Sequence, residues 1–98
     1  MRRIAAHYIY WHQLHKMSYI ELDDKGIFNG VFSLYDEIAG TEFYDGLLIP
    51  VNEPDRFTKL DGLSGLSHEV RLSDITENVF VGNKVHLYRI HCDKIYTV

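Results

Sequence analysis

The 98-residue chain consists of short segments with β-strand character, and it contains no stretch of helical apolar spacing longer than two turns. Parallel strands need long crossover connections, usually helices, and no segment has the pattern of one. Parallel pairing is therefore not expected. The pattern predicts an all-β domain: a small antiparallel β-sandwich or a partly open barrel, with about seven short strands and at most one short helical turn.

Turn-forming residues separate the strand-like segments. The Asp-Asp-Lys-Gly sequence at 23–26 predicts a hairpin turn, because aspartates hydrogen-bond their own backbone and glycine accepts a positive φ. The Asp-Gly pair at 45–46 and the Gly-Asn pair at 82–83 are two-residue signals that predict further hairpins. The segments so delimited are residues 3–10, 16–22, 27–34, 41–44, 47–51, 68–72, 78–81, 84–90 and 94–98.

The third segment has a glycine inside a regular strand pattern. Gly30 predicts a bulge or a close approach by another backbone, since glycine offers a strand no side chain to pack. Alternation along the strand places Phe28 and Phe32 on one face and Val31 on the other. The two phenylalanines are therefore expected to lie on the same side of the sheet.

Chain length supports one domain with a modest core, so residues 1–98 are expected to form a single β-sandwich domain. Residues 52–67 contain Pro54, two glycines and many polar side chains, a composition that predicts a long surface loop. Residues 73–77 begin with a helix-capping serine and end with an acidic residue, which predicts one short helical turn.

The charge balance limits the partners that the chain can have. Ten Lys and Arg against fourteen Asp and Glu give a formal net charge of −4, and the longest basic run is the pair Arg2 and Arg3. Nucleic acids and anionic membrane surfaces both require a clustered positive face, so neither is expected as a partner. The single cysteine, Cys92, excludes an internal disulfide and favours a reducing, cytoplasmic location.

Six histidines raise the question of a metal or ligand site. His12 and His15 are close in sequence, but a zinc site needs three or four ligands and the other histidines stand at unrelated spacings. No motif for nucleophilic catalysis or phosphate binding is present. No catalytic, cofactor-binding or metal-ligating residue is therefore assigned. A small ligand- or metal-binding protein that uses the loop of Trp11, His12 and His15 is the alternative.

Aromatic residues make up 13% of the chain, more than the core of so small a domain can fully enclose. Tyrosine is enriched at surfaces that are both apolar and hydrated. One interpretation is that the rings line the core with their hydroxyls at its rim. The other is a protein interface, in which case the chain forms a homo-oligomer or docks onto another protein.

Three segments of the first half carry a family resemblance: IAAHYIY at 4–10, YIELDDKGI at 19–27 and TEFYDGLLIP at 41–50. Together they resemble the N-terminal portion of amidohydrolase-superfamily enzymes of the chlorohydrolase and cytosine-deaminase type. The resemblance implies a composite β-sandwich formed by residues 1–51, with residues 79–98 as returning strands. In those enzymes this sandwich flanks a metal-dependent (β/α)₈ barrel.

The chain departs from that superfamily where the barrel would begin. After Pro50 the enzymes continue into a His-x-His metal pair, whereas residues 51–56 read VNEPDR and contain no histidine. The predicted loop 52–67 stands in place of the barrel, so hydrolase activity is not expected. The resemblance implies a non-catalytic, stand-alone module that acts through protein association or self-association, or else an accessory subunit of a separately encoded barrel hydrolase.

Overall fold

A computed structural model of the chain describes residues 1–34, 40–52, 75–92 and 94–98. Its strands are β1 (Arg2–Trp11), β2 (Gln13–Leu22), β3 (Phe28–Ser33), β4 (Thr41–Val51), β5 (His86–His91) and β6 (Lys94–Thr97). They form one mixed sheet in the order β3-β2-β1-β4-β5-β6. The prediction of an all-β domain is confirmed, while the distinction between a sandwich and a partly open barrel stays a prediction.

β1 and β4 pair in parallel, and the other neighbouring strands of the sheet are antiparallel. The expectation that parallel pairing is absent is therefore wrong for this central pair. A parallel pair needs a long connection, and here β2 and β3 supply most of it as an antiparallel meander. Strands thus replace the helix that usually makes such a crossover.

One face of the sheet, the inner face, carries the main hydrophobic cluster. Ile4, Ile20 and Phe28 are completely buried there and come from three neighbouring strands. Full burial of such a side chain contributes about 1.5–3 kcal/mol, so each of these three residues is an important contributor to the stability of the sheet. The other buried members are Ala6, Ile9, Leu22, Leu48, Val79, Val85 and Leu87.

The segment that leads into β5 hydrogen-bonds to the start of β3. The Phe28 N–H donates to the carbonyl of Asn83 at 2.8 Å, and the Gly82 N–H donates to the carbonyl of Phe28 at 2.8 Å. The Val85 N–H donates to the carbonyl of Gly26 at 3.2 Å. Because β3 is an edge strand and β5 lies beyond β1 and β4, these bonds show that the sheet curls around its inner face.

The hairpin predicted around the Gly-Asn pair at 82–83 is wrong. Residues 78–81 are not a strand, and the Asn83 N–H instead donates to the carbonyl of Phe80 at 3.0 Å in a tight turn. Gly82 has a φ of 97°, which suits the third position of such a turn. The Gly-Asn pair thus lies in a turn, as predicted. The backbone of this turn, however, hydrogen-bonds to the start of β3, and no strand before it pairs with β5.

The hairpin predicted at 45–46 is also wrong, because β4 runs through these residues as one strand with a bulge. The parallel register shifts there. One residue of β1 lies between Ala6 and Tyr8, whereas two residues of β4 lie between their partners Tyr44 and Leu47. Gly46 has a φ of 95°, and a Cβ at this position would meet the carbonyl oxygen of Ile90. The glycine thus allows both the bulge and the close approach of β5.

The bulge predicted at Gly30 is confirmed. Glu21 pairs with Gly30 and Leu22 pairs with Phe28, so β3 has an extra residue between them. This residue reverses the alternation along the strand. Phe28 lies in the inner cluster, whereas Phe32 lies on the opposite, outer face, and the expectation that they share a face is wrong for this reason.

The outer face carries a second, smaller cluster over the ends of β4 and β5. Its buried members are Ile49, Val51, Ile75, Tyr88 and Ile90. Residues 75 and 76 have helical backbone, in agreement with the turn predicted at 73–77. The predicted strand 68–72 and, apart from Asn52, the predicted loop 52–67 lie outside the described residues.

Candidate functional site

Four residues on four neighbouring strands form a line across the outer face. Phe32 of β3 pairs with Tyr19 of β2. Ala5 of β1 pairs with Tyr19 on one side and with Phe43 of β4 on the other. Residues paired in this way point to the same side of a sheet. We call Phe32, Tyr19, Ala5 and Phe43 the aromatic row.

The aromatic row contains three aromatic rings, and two of them are widely exposed. Phe32 is 42% exposed and Phe43 is 50% exposed, and the Tyr19 ring lies 5.5 Å from the Phe32 ring. Ala5, between Tyr19 and Phe43 in the row, is 1% exposed and therefore covered. The row therefore presents two widely exposed rings, Phe32 and Phe43, to solvent on one face of the sheet.

A charged pair borders the aromatic row on one side. The Arg3 Nε lies 3.4 Å from the Glu21 Oε1, and these residues are register partners on β1 and β2. Their side chains are 35% and 17% exposed. Within the described ranges the Arg3 Nε and the Thr41 Oγ1 are buried atoms with no hydrogen-bond partner. This border thus carries opposite charges, and the Glu21 Oε2 also accepts a hydrogen bond from the Asn29 side-chain amide at 3.3 Å.

A contact between a histidine and a carboxylate borders the row on the other side. The His7 Nε2 lies 3.4 Å from the Asp45 Oδ1, and both side chains are exposed. The His7 ring meets the Phe43 ring edge to face at 5.2 Å. Met17, on the neighbouring strand, is 52% exposed and extends the apolar surface. Apolar centre and polar border together resemble the organisation of a protein interface.

Trp11, which the sequence analysis singled out, is part of the fold's own packing. Its Nε1–H donates to the carbonyl of Val79 at 2.7 Å. Its ring packs edge to face on the Phe28 ring at 5.0 Å. Trp11 therefore fastens the end of the β1–β2 hairpin to the segment that closes the inner face.

The two neighbouring histidines also bind backbone. The His12 Nε2 lies 3.1 Å from the carbonyl oxygen of Val79, and the His15 Nε2 lies 3.2 Å from that of Trp11. The backbone N–H of His12 donates to the Thr76 hydroxyl at 3.2 Å. The structure thus brings Trp11, His12 and His15 together, with both Nε2 atoms directed at different carbonyls instead of a shared centre. No group of three His, Cys, Asp or Glu in the described ranges is arranged to hold a metal ion.

A two-point ion pair lies away from the aromatic row, on the other face of the sheet. Arg2 and Glu42 form a two-point contact, with Nε to Oε2 at 2.6 Å and Nη2 to Oε1 at 3.0 Å. The hydrogen bond from Arg2 lowers the pKa of Glu42 below its ordinary value, against the opposing effect of burial. The two opposite charges thus form a side-chain contact between β1 and β4.

Sequence reasoning found the aromatic content of this site but missed its arrangement. Alternation on β1 and β2 could have placed Ala5 beside Tyr19, but Phe32 joins them only because the Gly30 bulge reverses β3. Phe43 joins through the parallel pairing of β4, for which the sequence has no local signal.

No family model, curated protein or solved structure matches the chain. Among the described residues, no helix has the length and apolar character needed to span a membrane. The candidate site is accordingly defined by the geometry of the sheet alone.

Proposed function

We propose that this protein is a non-catalytic β-domain that acts through self-association, and that the aromatic row is its contact surface. The observation that carries the proposal is the exposure of Phe32 and Phe43, 42% and 50%, beside Tyr19 on one face. Large aromatic side chains are the main energetic anchors of protein interfaces.

The exposed area predicts a weak association. Burying the open parts of the three rings removes on the order of 200 Å² of apolar surface per copy, or about 10 kcal/mol for two copies at 25 cal/mol per Å². Loss of translational and rotational freedom opposes this by about 4–15 kcal/mol. With a cost of about 4–6 kcal/mol, near the lower end of that range, about 4–6 kcal/mol remains, and the expected dissociation constant lies between tens of micromolar and about a millimolar.

The ligand- or metal-binding alternative has less support. The Nε2 atoms of His12 and His15 already contact backbone carbonyls, and the Trp11 ring is part of the core packing. The kinship with the amidohydrolase composite sandwich, and a role as accessory subunit of a barrel hydrolase, stay predictions on which this proposal does not rest.

The test compares molar mass across a concentration series, measured by light scattering from micromolar to millimolar protein. The wild type is expected to rise from 11.5 kDa towards twice that mass. The double variant Phe32→Thr/Phe43→Thr is expected to stay monomeric, since threonine suits a strand but removes the ring. A monomeric wild type at millimolar concentration would falsify the proposal.

Phe80 provides a matched control. It is 54% exposed but lies on the turn near His12, outside the aromatic row. Phe80→Thr is expected to leave the concentration dependence unchanged. If this variant and the row variant weaken association equally, the contact does not depend on the aromatic row.

A further inference from the structure

We infer that the hairpin of β5 and β6 carries a binding site for a small oxyanion of the phosphate type, formed by Arg89, His91 and Lys94. We call these three residues the basic patch. The basic patch lies on the opposite side of the sheet from the aromatic row. The inference therefore goes beyond the proposed function and does not depend on it.

Strand pairing places the three basic side chains on one face. Leu87 belongs to the inner cluster, and alternation along β5 puts Arg89 and His91 on the same side as Leu87. Lys94 is the register partner of His91 across the β5–β6 turn, and paired residues share a face. Paired and alternate positions lie about 5–7 Å apart, within reach of long side chains. The chain thus has a clustered basic surface that no run of basic residues encodes.

Two tyrosines hold the Arg89 guanidinium in place. Its Cζ lies 4.6 Å from the centre of the Tyr96 ring, on β6, and 5.8 Å from that of the Tyr44 ring, on β4. A guanidinium over an aromatic ring is attracted by the negative face of the ring, and this contact uses none of its N–H donors. Within the described ranges Arg89 forms one side-chain hydrogen bond, from Nη1 to the carbonyl of Asp45 at 3.4 Å. Most of its donors therefore remain available for a ligand.

His91 reaches the same part of β4 as Arg89 does. The His91 Nδ1 lies 3.4 Å from the position that a Cβ on Gly46 would occupy. Gly46 follows Asp45, whose carbonyl accepts the hydrogen bond from Arg89. The guanidinium and the imidazole thus adjoin the same bulge of β4, although they come from alternate positions of β5.

The acidic groups near this face are bound elsewhere. Glu42 accepts two bonds from Arg2 and a third from the Tyr44 hydroxyl at 3.2 Å. The Asp45 carboxylate contacts His7, on the border of the aromatic row. Among the described residues no carboxylate forms an ion pair with the basic patch. A chain with a net charge of −4 therefore has a local surplus of positive charge here.

These groups fit an anion of the phosphate type. A guanidinium donates two parallel hydrogen bonds to a pair of oxygens, the Lys94 ammonium adds a point charge, and the His91 imidazole adds a further donor. Three donor groups suit a tetrahedral, doubly charged anion better than a carboxylate, because the guanidinium alone satisfies both carboxylate oxygens. The net charge opposes an extended polyanion. Because Lys94 is exposed, the expected dissociation constant is on the order of millimolar.

The test is a titration of the wild-type chain with inorganic phosphate, followed by heteronuclear NMR at an ionic strength held constant with chloride. The Arg89 Nε–H and the backbone amides of β5 and β6 are expected to shift and to saturate. Arg89→Gln is expected to weaken binding at least about tenfold, and Arg89→Lys, which keeps the charge but not the fork, about threefold. Lys94→Gln changes an exposed side chain and is expected to weaken binding about threefold.

Lys16→Gln is the matched control. It removes the same charge from an exposed position of β2, outside the basic patch. It is expected to change the dissociation constant less than about 1.5-fold, because solvent and salt screen distant charges. Acetate is the control ligand and is expected to bind at least about fivefold more weakly than phosphate. Thermal unfolding of each variant checks that the fold is retained.

The outcomes decide between a site and general charge attraction. Saturable phosphate binding that is weakened in Arg89→Gln and Lys94→Gln, and kept in Lys16→Gln, supports the basic patch. Shifts that do not saturate, or equal losses in Lys94→Gln and Lys16→Gln, overturn it, since phosphate would then respond only to the overall charge. Acetate binding as tight as that of phosphate overturns the assignment to a phosphate-type ligand. Self-association is measured separately by light scattering, so the two proposals fail independently.

Discussion

Phe28 and Phe43 lie on opposite faces of one sheet and have different surroundings. Phe28 is completely buried, its ring packs on Trp11, and its backbone bonds to the segment that crosses the inner face. Phe43 is 50% exposed and meets the edge of the His7 ring. The same residue type is thus enclosed by the core on one face and half exposed on the other. The comparison teaches that an aromatic count becomes informative only once each ring has been assigned to a face.

The largest expected difference comes from truncating each phenylalanine in turn. Phe28→Ala is expected to lower the free energy of unfolding by about 4 kcal/mol, because it leaves a cavity in the inner cluster. Phe43→Ala is expected to change it by less than about 1 kcal/mol, measured on the monomer in urea, while weakening self-association. Equal losses of stability would show that Phe43 is part of the core and would remove the contrast between the faces.

Substitution of Gly46 tests whether β4 tolerates changes to its backbone as well as to the exposed Phe43 side chain. Gly46→Ala is expected to destabilise the fold by about 3 kcal/mol, since alanine is strained at its φ of 95° and its Cβ meets the carbonyl oxygen of Ile90. Gly26→Ala is the control. Gly26 also has a positive φ, 81°, but open space around it, so about 1 kcal/mol is expected. Equal effects in urea denaturation would mean that β5 does not approach Gly46 closely.

Trp11→Phe isolates the hydrogen bond that fastens the closing segment. The variant keeps a ring against Phe28 but loses the bond from Nε1–H to the Val79 carbonyl, so a loss of about 1–1.5 kcal/mol is expected. Tyr8→Phe, at a 43% exposed position of β1, is expected to change stability by less than about 0.5 kcal/mol. Thermal unfolding monitored by circular dichroism gives both values. If Trp11→Phe leaves the stability unchanged, the hydrogen bond to Val79 contributes nothing measurable and Trp11 acts through the packing of its ring.

The smallest expected effect is a pH dependence from the turn that precedes Phe28. The Asp23 carboxylate accepts hydrogen bonds from the N–H groups of Ile27, at 2.9 Å, and Lys25, at 2.8 Å, and these lower the pKa of Asp23 below its usual 3.8. A lowered pKa means that the carboxylate stabilises the fold above about pH 4 and that this contribution is lost as the pH falls through the lowered value.

Asp23→Asn keeps an oxygen acceptor but does not titrate, so its urea midpoint is expected to fall less than that of the wild type between neutral pH and about pH 3. Parallel pH profiles for the two proteins would contradict this role of the carboxylate.

Local signals in the sequence predicted the features that depend on neighbouring residues. The turn at Asp23 has the predicted bonds, with the Gly26 N–H donating to the carbonyl of Asp23 at 3.1 Å, and Gly30 forms the predicted bulge. The sequence did not reveal which strands meet at long range. The glycine at position 46 has the same local signature in a bulge as in a hairpin turn, because both need a positive φ.

The candidate site was predictable only in its residue types. Tyr19, Phe32 and Phe43 stood among the aromatic residues that the core could not enclose, and two of them are indeed exposed on one face. The residues that adjoin these rings, Ala5 and the Arg3–Glu21 pair, have no distinguishing sequence pattern. Their importance comes from the register of the sheet.

The parallel pairing of β1 with β4 also sets the order in which the chain can fold. β1 and β2 adjoin in sequence, so their hairpin closes over a short loop. The pairing of Ile4 with Glu42, in contrast, closes a long loop that contains β2 and β3. Loop-closure entropy grows with the logarithm of loop length, and contacts between distant residues slow folding. The two N-terminal hairpins are therefore the natural nucleus. The parallel pairing of β1 with β4 is expected to form late and to limit the folding rate.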